Sequence, residues 1–310
     1  MDFYGYMRPN GKAGARNYVL LLPVNRSLNF IASNVERMTR NTRHFEIPAE
    51  TGRTEVDREV IARTLIGLMN NANVGGIVLL AVKSGAGSAY KNMCAERFEE
   101  EARKTGKPLR IVYLTNVGGS YNMLGETLRL TREVLLEVSD FRRENCPLSA
   151  LTLGVKCGTS DATSGIAGNP CVGAAFDQLI RAGGTAFFSE TTEIIGAEDL
   201  VAKRAVNESV AKKILSAARH WEDKAKATGE DIRKINPIPA NIAAGISSLE
   251  EKSLGAIAKS GTSPIQDVLK YAEMPKGSGL YFVDSWMSSL SLPLCLTACG
   301  ATIMPVSYTH

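Results

Sequence analysis

Two short polar loops carry the residues of this chain best suited to chemistry. The first, residues 156–168 (KCGTSDATSGIAG), sets Lys156, Cys157, Ser160 and Asp161 directly after an apolar stretch; the second, residues 189–193 (SETTE), sets Glu190 and Glu193 after another. Two carboxylates together at the end of a buried strand would raise the pKa of at least one into the working range of a general base. The same acids in the first turn of a helix would be ordinary dipole partners, and the sequence leaves both readings open. Lys156 beside Cys157 could activate a thiolate, although a cysteine so placed is more often a small core residue. The CGTSDATSG segment offers backbone N–H groups to a carboxylate or phosphate, or is simply capped by its own Ser, Thr and Asp side chains. It is neither a Walker loop nor a GxGxxG pattern, so a nucleotide-binding reading has no motif behind it.

The elements that must position these loops follow from the apolar pattern. Residues 151–155 and 185–188 read as strands flanking a Pro-started helix over 170–181. In an open parallel sheet the carboxyl ends of such strands share one edge, which would bring the two loops together across a crevice. Upstream, strands at 18–24, 45–47, 76–82 and 110–114 alternate with helices at 29–40, 55–70, 89–104 and 124–138, the signature of βαβ units. Downstream come a long charged helix over 200–227, a helix begun by a Ser248/Glu251 capping box and stopped at Gly261, a short helix opened by Pro264, and strands at 279–284 and from 302. The fold class is therefore α/β: two α/β domains with mainly parallel sheets, 1–146 and 147–310, meeting at the aperiodic Glu144–Pro147 segment with the site crevice between them. A parallel sheet ending on a bare strand makes the chain read as C-terminally truncated.

Composition bounds the function classes. With 22% charged and 44% hydrophobic residues, the 310-residue chain is an ordinary globular protein. Its net charge of +4 is spread without a basic run, and aromatics are only 6%, which argues against nucleic acid. The N-terminus is too polar for a secretory signal and the longest apolar run, 77–82, cannot span a bilayer, so the cytoplasm is the default address. Six cysteines without a Cys-x-x-Cys pair read as free thiols, with Cys295 and Cys299 in the core. His44, His220 and His310 are too scattered to suggest a site.

Four collinear blocks, GYMRPNGKAGARN, KCGTSDATSGIAGNP, GGTAFFSETTEIIGAE and NPIPANIAAGISSLEEKSLGAIAKSGTSPI, resemble the altronate and galactarate dehydratase family, also called the UxaA family. The resemblance implies a cytoplasmic lyase that removes water from a sugar acid to give a 2-keto-3-deoxy acid with ferrous iron as cofactor. It equally implies a kinship with the large subunit of sulfolactate sulfo-lyase, which expels sulfite and works with a separate small subunit. Abstraction of the proton next to a carboxylate needs a base, a positive charge for the enediolate and an acid for the leaving group. Lys156, Asp161, Glu190 and Glu193 are the candidates for those roles. Cys157, Thr159, Ser160, Thr163, Ser164, Asn169, Asn241 and Lys252 are the candidates for holding the substrate. The expected partners are thus a small sugar acid or sulfonated hydroxy acid and a small subunit or domain, with no nucleic acid and no membrane; a homo-oligomer is left open.

The chain departs from the family pattern where the family carries cysteine and histidine. Asn25, Ser27, Ala49, Arg53, Lys83 and Ser84 stand at about those positions. The N-terminal domain is therefore expected to lack a tight iron site, with Lys83 and Arg53 offering fixed positive charge instead. The last five residues also leave the family pattern. A metal-free, non-catalytic binding paralogue is the alternative to a lyase.

Overall fold

Apolar runs of strand length, separated by amphipathic stretches, build one parallel sheet in each of two units. The computed structural model describes residues 2–49, 51–83, 90–158, 160–286 and 288–307. The chain divides into the units Asp2–Cys146 and Pro147–His310.

The N-terminal unit holds strands β1 (Asp2–Met7), β2 (Ala13–Gly14), β3 (Tyr18–Pro23), β4 (Thr42–His44), β5 (Val74–Ala81), β6 (Leu109–Tyr113) and β7 (Glu144–Pro147). Its helices are α1 (Asn29–Met38), α2 (Glu55–Asn70), α3 (Ala95–Lys104), α4 (Leu114–Val117) and α5 (Ser120–Ser139). The main sheet runs β4-β3-β5-β6, all parallel. β5 is buried along its whole length, which explains its unbroken apolar sequence. Val19, Leu21, Val78 and Leu80 pack against Ile31 and Val35 of α1 and Val134 and Val138 of α5. The opening motif is structural: a Cβ on Gly14 would lie 2.1 Å from the Ala72 carbonyl oxygen, and Arg8 donates to that oxygen at 2.7 Å and to Asn17 Oδ1 at 2.9 Å. Nearby, Lys107 is buried with Nζ donating to the Met69 and Asn71 carbonyls at 2.6 and 2.8 Å.

The C-terminal unit holds β8 (Thr152–Gly154), β9 (Lys156–Cys157), β10 (Thr185–Phe188), β11 (Ile265–Leu269), β12 (Gly279–Val283) and β13 (Val306–Ser307). Its helices are α6 (Asn169–Arg181), α7 (Glu198–Ala202), α8 (Glu208–Lys226), α9 (Ile232–Ile235), α10 (Pro239–Ala243), α11 (Leu249–Ile257) and α12 (Ser291–Cys299). The sheet order is β11-β12-β10-β8, all parallel. Phe176 of α6 and Ile214 of α8 cover Ala186, Phe188 and Phe282 on one side; Cys295, Leu296 and Cys299 of α12 cover Phe187, Tyr281 and Val283 on the other. All six cysteines are free thiols. No described helix is long and apolar enough to cross a membrane.

Three local expectations are corrected. The strand expected at 45–47 forms at Thr42–His44, where it pairs with β3, while Ile47 is held in a loop by both ends of the Asn29 amide. The single helix expected over 200–227 is two, because the chain detours to the sheet edge, Val206 N donating to the Ile265 carbonyl, and restarts with Asn207 as N-cap of α8. Pro264 opens a strand, not a helix: it precedes β11, at the sheet edge, where a proline is tolerated.

Candidate active site

Both polar loops lie at the carboxyl edge of the C-terminal sheet, the edge where open α/β sheets bind ligands. The first leaves β8, donates Val155 N to the Phe187 carbonyl, and runs as β9 beside β13. The second leaves β10, and Cys157 N donates to Glu190 Oε2 at 3.0 Å, so the two loops touch. The SETTE segment does not become an α-helix. Glu190 adopts φ +72°, left-handed backbone that a non-glycine residue enters only at a cost of order 1–3 kcal/mol, and Thr191–Glu193 forms one 3-10 turn. Flanking bonds hold that conformation. Ser189 Oγ donates to the Val283 carbonyl at 2.6 Å, Thr191 N to the Ser285 carbonyl at 2.9 Å and Thr191 Oγ1 to Asp284 at 2.7 Å. Asp284 is fixed in turn by Trp221 Nε1 at 2.8 Å.

The turn carries Glu190 and Glu193 onto a residue that sequence reasoning did not select. Lys259 is 1% exposed, and its Nζ lies 2.6 Å from Glu190 Oε2 and 3.0 Å from Glu193 Oε2. Its turn is pinned from both sides. A Cβ on Gly173 of α6 would come within 2.2 Å of the Ala258 carbonyl oxygen, so only glycine lets α6 approach this closely. One turn on, Asp177 accepts from the N–H and hydroxyl of both Thr262 and Ser263 at 2.6 to 3.0 Å. Arg204 donates to Ser260 Oγ at 2.8 Å and to the Ser260 and Ser263 carbonyls. The signal that could have found Lys259 is a single charge set among small and apolar residues, AIAKSG, just before a helix-stopping glycine.

Burial raises Glu190, and Lys259 opposes without overcoming it. Burial also pushes Glu193 upward, but the charges of Lys259 and Lys252 and the hydrogen bonds from Lys259 and Cys157 outweigh it, so Glu193 is lowered and ionised. Lys259 is desolvated, yet the two carboxylates more than compensate and raise it. Burial pushes the Cys157 thiol up to about 11, so it is a neutral thiol, its Sγ 3.3 Å from Ser160 Oγ.

Above this floor opens a cavity of about 840 Å³. Lys156, Ser160, Glu193, Asn241 and Lys252 line it, with Ile232, Ile235 and Ile238 as an apolar wall. Lys156 makes no side-chain ion pair or hydrogen bond among the described residues, whereas Lys252 Nζ is held by Asn236 Oδ1 at 2.7 Å. Cys157 and Glu190 are buried beneath. The other candidates are tied into the loop. Asp161 Oδ1 accepts from Thr163 Oγ1, Ser164 N and Ser164 Oγ at 2.7 to 3.0 Å. Asn241 Nδ2 donates to the Ser160 carbonyl at 2.9 Å and Asn169 Nδ2 to the Gly255 carbonyl at 2.8 Å. Asp161, Ser164 and Asn169 border a separate recess of about 40 Å³. Thr163 is exposed, and Thr159 lies outside the described residues.

Cys157, Glu190 and Glu193 bring three ligand-type atoms within 4.8 Å of one another, the one such trio among the described residues. Glu190 Oε1 and Glu193 Oε1 are buried without a hydrogen-bond partner. Distance alone would admit a divalent ion there. Charge opposes it: an ion on those oxygens would sit roughly 4 Å from the buried ammonium of Lys259, which already answers the same two carboxylates, and at an effective dielectric near 20 that repulsion costs about 8 kcal/mol. The residues present do not fit ferrous iron while Lys259 holds this place. In the N-terminal unit, Asn25 Oδ1 accepts from Val82 N at 3.1 Å and Arg53 Nε donates to the Ala49 carbonyl at 2.6 Å, so these positions tie loops; Ser84 lies outside the described residues.

Family models match both units. The one described as D-galactarate/altronate dehydratase, C-terminal, covers residues 148–307, and the one described as the second domain of D-galactarate dehydratase/altronate hydrolase covers 5–139. The chain is 34% identical over 306 residues to (2R)-sulfolactate sulfo-lyase subunit beta of Chromohalobacter salexigens, a match spanning 97% of this chain and 75% of the relative. It is 32% identical to altronate dehydratase of Bacillus subtilis and 30% identical to galactarate dehydratase (L-threo-forming) of Escherichia coli, spanning 97% of this chain but 61% and 60% of those proteins. These relatives are lyases by name, and with its C-terminal unit matched almost end to end the chain belongs to the D-galactarate/altronate dehydratase family.

Proposed function

We propose that this chain carries the proton-abstracting site of a lyase that eliminates water from a hexonate- or hexarate-like acid to give a 2-keto-3-deoxy acid. The observation that carries this reading is the ionised Glu193 in the floor of a cavity that also presents the ammonium groups of Lys156 and Lys252. Lys156 and Lys252 bind the substrate carboxylate and take up negative charge as the adjacent carbon loses its proton to Glu193. The C–O bond at the next carbon then breaks, the hydroxyl leaves with the electron pair and takes up as water the proton that Glu193 abstracted, and the enol relaxes to the keto acid. Ser160 and Asn241 offer hydrogen bonds to substrate hydroxyls. Glu190 and Lys259 hold Glu193 in place from below. Asp161, engaged by its own loop, shapes that loop.

A second reading is loss of sulfite from a sulfonated hydroxy acid, with this chain as the large subunit beside a small one. Two ammonium groups on one cavity suit it, because such a substrate carries two negative charges, as a hexarate does. The family-typical ferrous iron belongs to neither reading in the form of a Cys157/Glu190/Glu193 complex, for the charge reason given above.

Turnover of altronate, galactarate and sulfolactate by the full-length protein tests both. Glu193→Gln is expected to cut kcat by about two to four orders of magnitude; because it also takes one carboxylate from the buried Lys259 pair, its melting temperature should fall, and activity is compared well below it. Equal activity in wild type and variant would remove Glu193 as the base, and no activity in either with all three acids would leave the chain as a binding paralogue.

A further inference from the structure

We infer that Lys259 is the resident cation of the Glu190/Glu193 pair, standing where a divalent metal would otherwise sit, so that this site works without a metal. The ammonium lies within hydrogen-bond distance of one oxygen of each carboxylate and is closed off from solvent. Its turn is fixed in place: α6 presses on it at Gly173, Asp177 ties Thr262 and Ser263, and Arg204 clamps Ser260. The trio that could ligate a metal is thus complete in donors but already paired with an ammonium. Lys259 does not line the cavity, so it is a positioning residue. It orients Glu193 and keeps it ionised, while positive charge for the substrate comes from Lys156 and Lys252.

The inference deepens the proposed lyase reading, and its test does not depend on turnover. The purified full chain, dialysed against a chelator, is titrated with Co²⁺, whose thiolate complexes give a charge-transfer band. Wild type is expected to bind no stoichiometric Co²⁺ and to show no such band. Lys259→Met removes the competing cation and should bind one Co²⁺ per chain at least about a hundredfold more tightly than wild type, a gain that one or two relieved charge contacts readily supply. The band should appear in that variant and vanish when Cys157→Ser is added. Lys259→Arg, which keeps the charge, should behave as wild type. One ion per wild-type chain surviving chelation, or Lys259→Met binding no better than wild type, overturns the inference. Should Lys259→Met not fold, the wild-type and Lys259→Arg titrations decide alone, because tight binding in either is enough to refute it. Metal-free wild type whose turnover is indifferent to Glu193→Gln would instead remove Glu193 as the base of the proposed lyase and leave this inference standing.

Discussion

Each unit buries a lysine beside its parallel sheet, and the two are treated in opposite ways. Lys107 in the N-terminal unit meets only the Met69 and Asn71 carbonyls, with the buried Arg8 adding repulsion, and burial pulls its pKa down to about 7. Lys259 in the C-terminal unit is buried more deeply still but faces Glu190 and Glu193, and it is raised. Burial depth alone does not decide whether an ammonium survives; the charge of its partners does. The N-terminal lysine therefore works as a neutral-leaning strut, while the C-terminal one is an obligate cation whose loss would leave two carboxylates uncompensated in the core.

That contrast sets the largest expected effect on stability. Lys259→Met should cost about 3–5 kcal/mol, because breaking a buried ion pair from one side leaves unpaired charge behind. Lys107→Met removes a desolvated amine but strands two carbonyls, and these nearly cancel, so a loss under about 2 kcal/mol is expected. Denaturant unfolding of the two variants, followed unit by unit, makes the comparison. Similar losses from both would show that depth, not partner charge, governs.

The pH dependence sharpens the same contrast. Lys107 ionises at 10.5 in the unfolded chain and at about 7 in the folded one. Between those values the unfolded chain holds a proton that the folded chain has released, so the contribution of Lys107 makes stability rise with pH from about 7 to 10.5 and stay level below 7. The full displacement corresponds to a rise of up to about 5 kcal/mol. Subtracting the Lys107→Met profile from that of wild type isolates it, and a difference that is flat or falls with pH over this window refutes the assignment.

How much of this was legible in sequence depends on whether the cause was local. Helix 55–70 and strand 185–188 were read correctly at both ends, because a Thr54 cap, an apolar run and a terminating turn all lie within the segment. Helix 200–227 was read through its break at 203–207, because the force that bends the chain there is a bond to Ile265, some sixty residues away, although Asn207 before Glu208 was a visible cap signal. The site shows the same division. The loops after β9 and β10 were found from hydroxyls and acids at strand ends, and nothing in either loop announces that both acids converge on Lys259, 66 and 69 positions further on. The left-handed backbone at Glu190 was equally invisible, since glutamate is a poor indicator of positive φ and the conformation is imposed by Val283, Asp284 and Ser285.

The smallest expected effect belongs to Asp161, which pairs with the comparison as a charged group answered by neutral partners. In sequence it stood beside Glu193 as a catalytic candidate, and its carboxylate is spent on Thr163 and Ser164. These are hydroxyl and N–H donors of its own loop, the pattern by which Asp shapes a turn. Asp161→Asn keeps one acceptor oxygen in the same place and loses only the charge assistance, so it should cost about 1 kcal/mol and change kcat less than tenfold. Glu193→Gln, with the same one-atom change, is expected to lose at least a further order of magnitude. Kinetics on both variants under one set of conditions separates a loop-shaping carboxylate from a proton-abstracting one: a deficit in Asp161→Asn that equals or exceeds that of Glu193→Gln would reverse the assignment and move the base to the first loop.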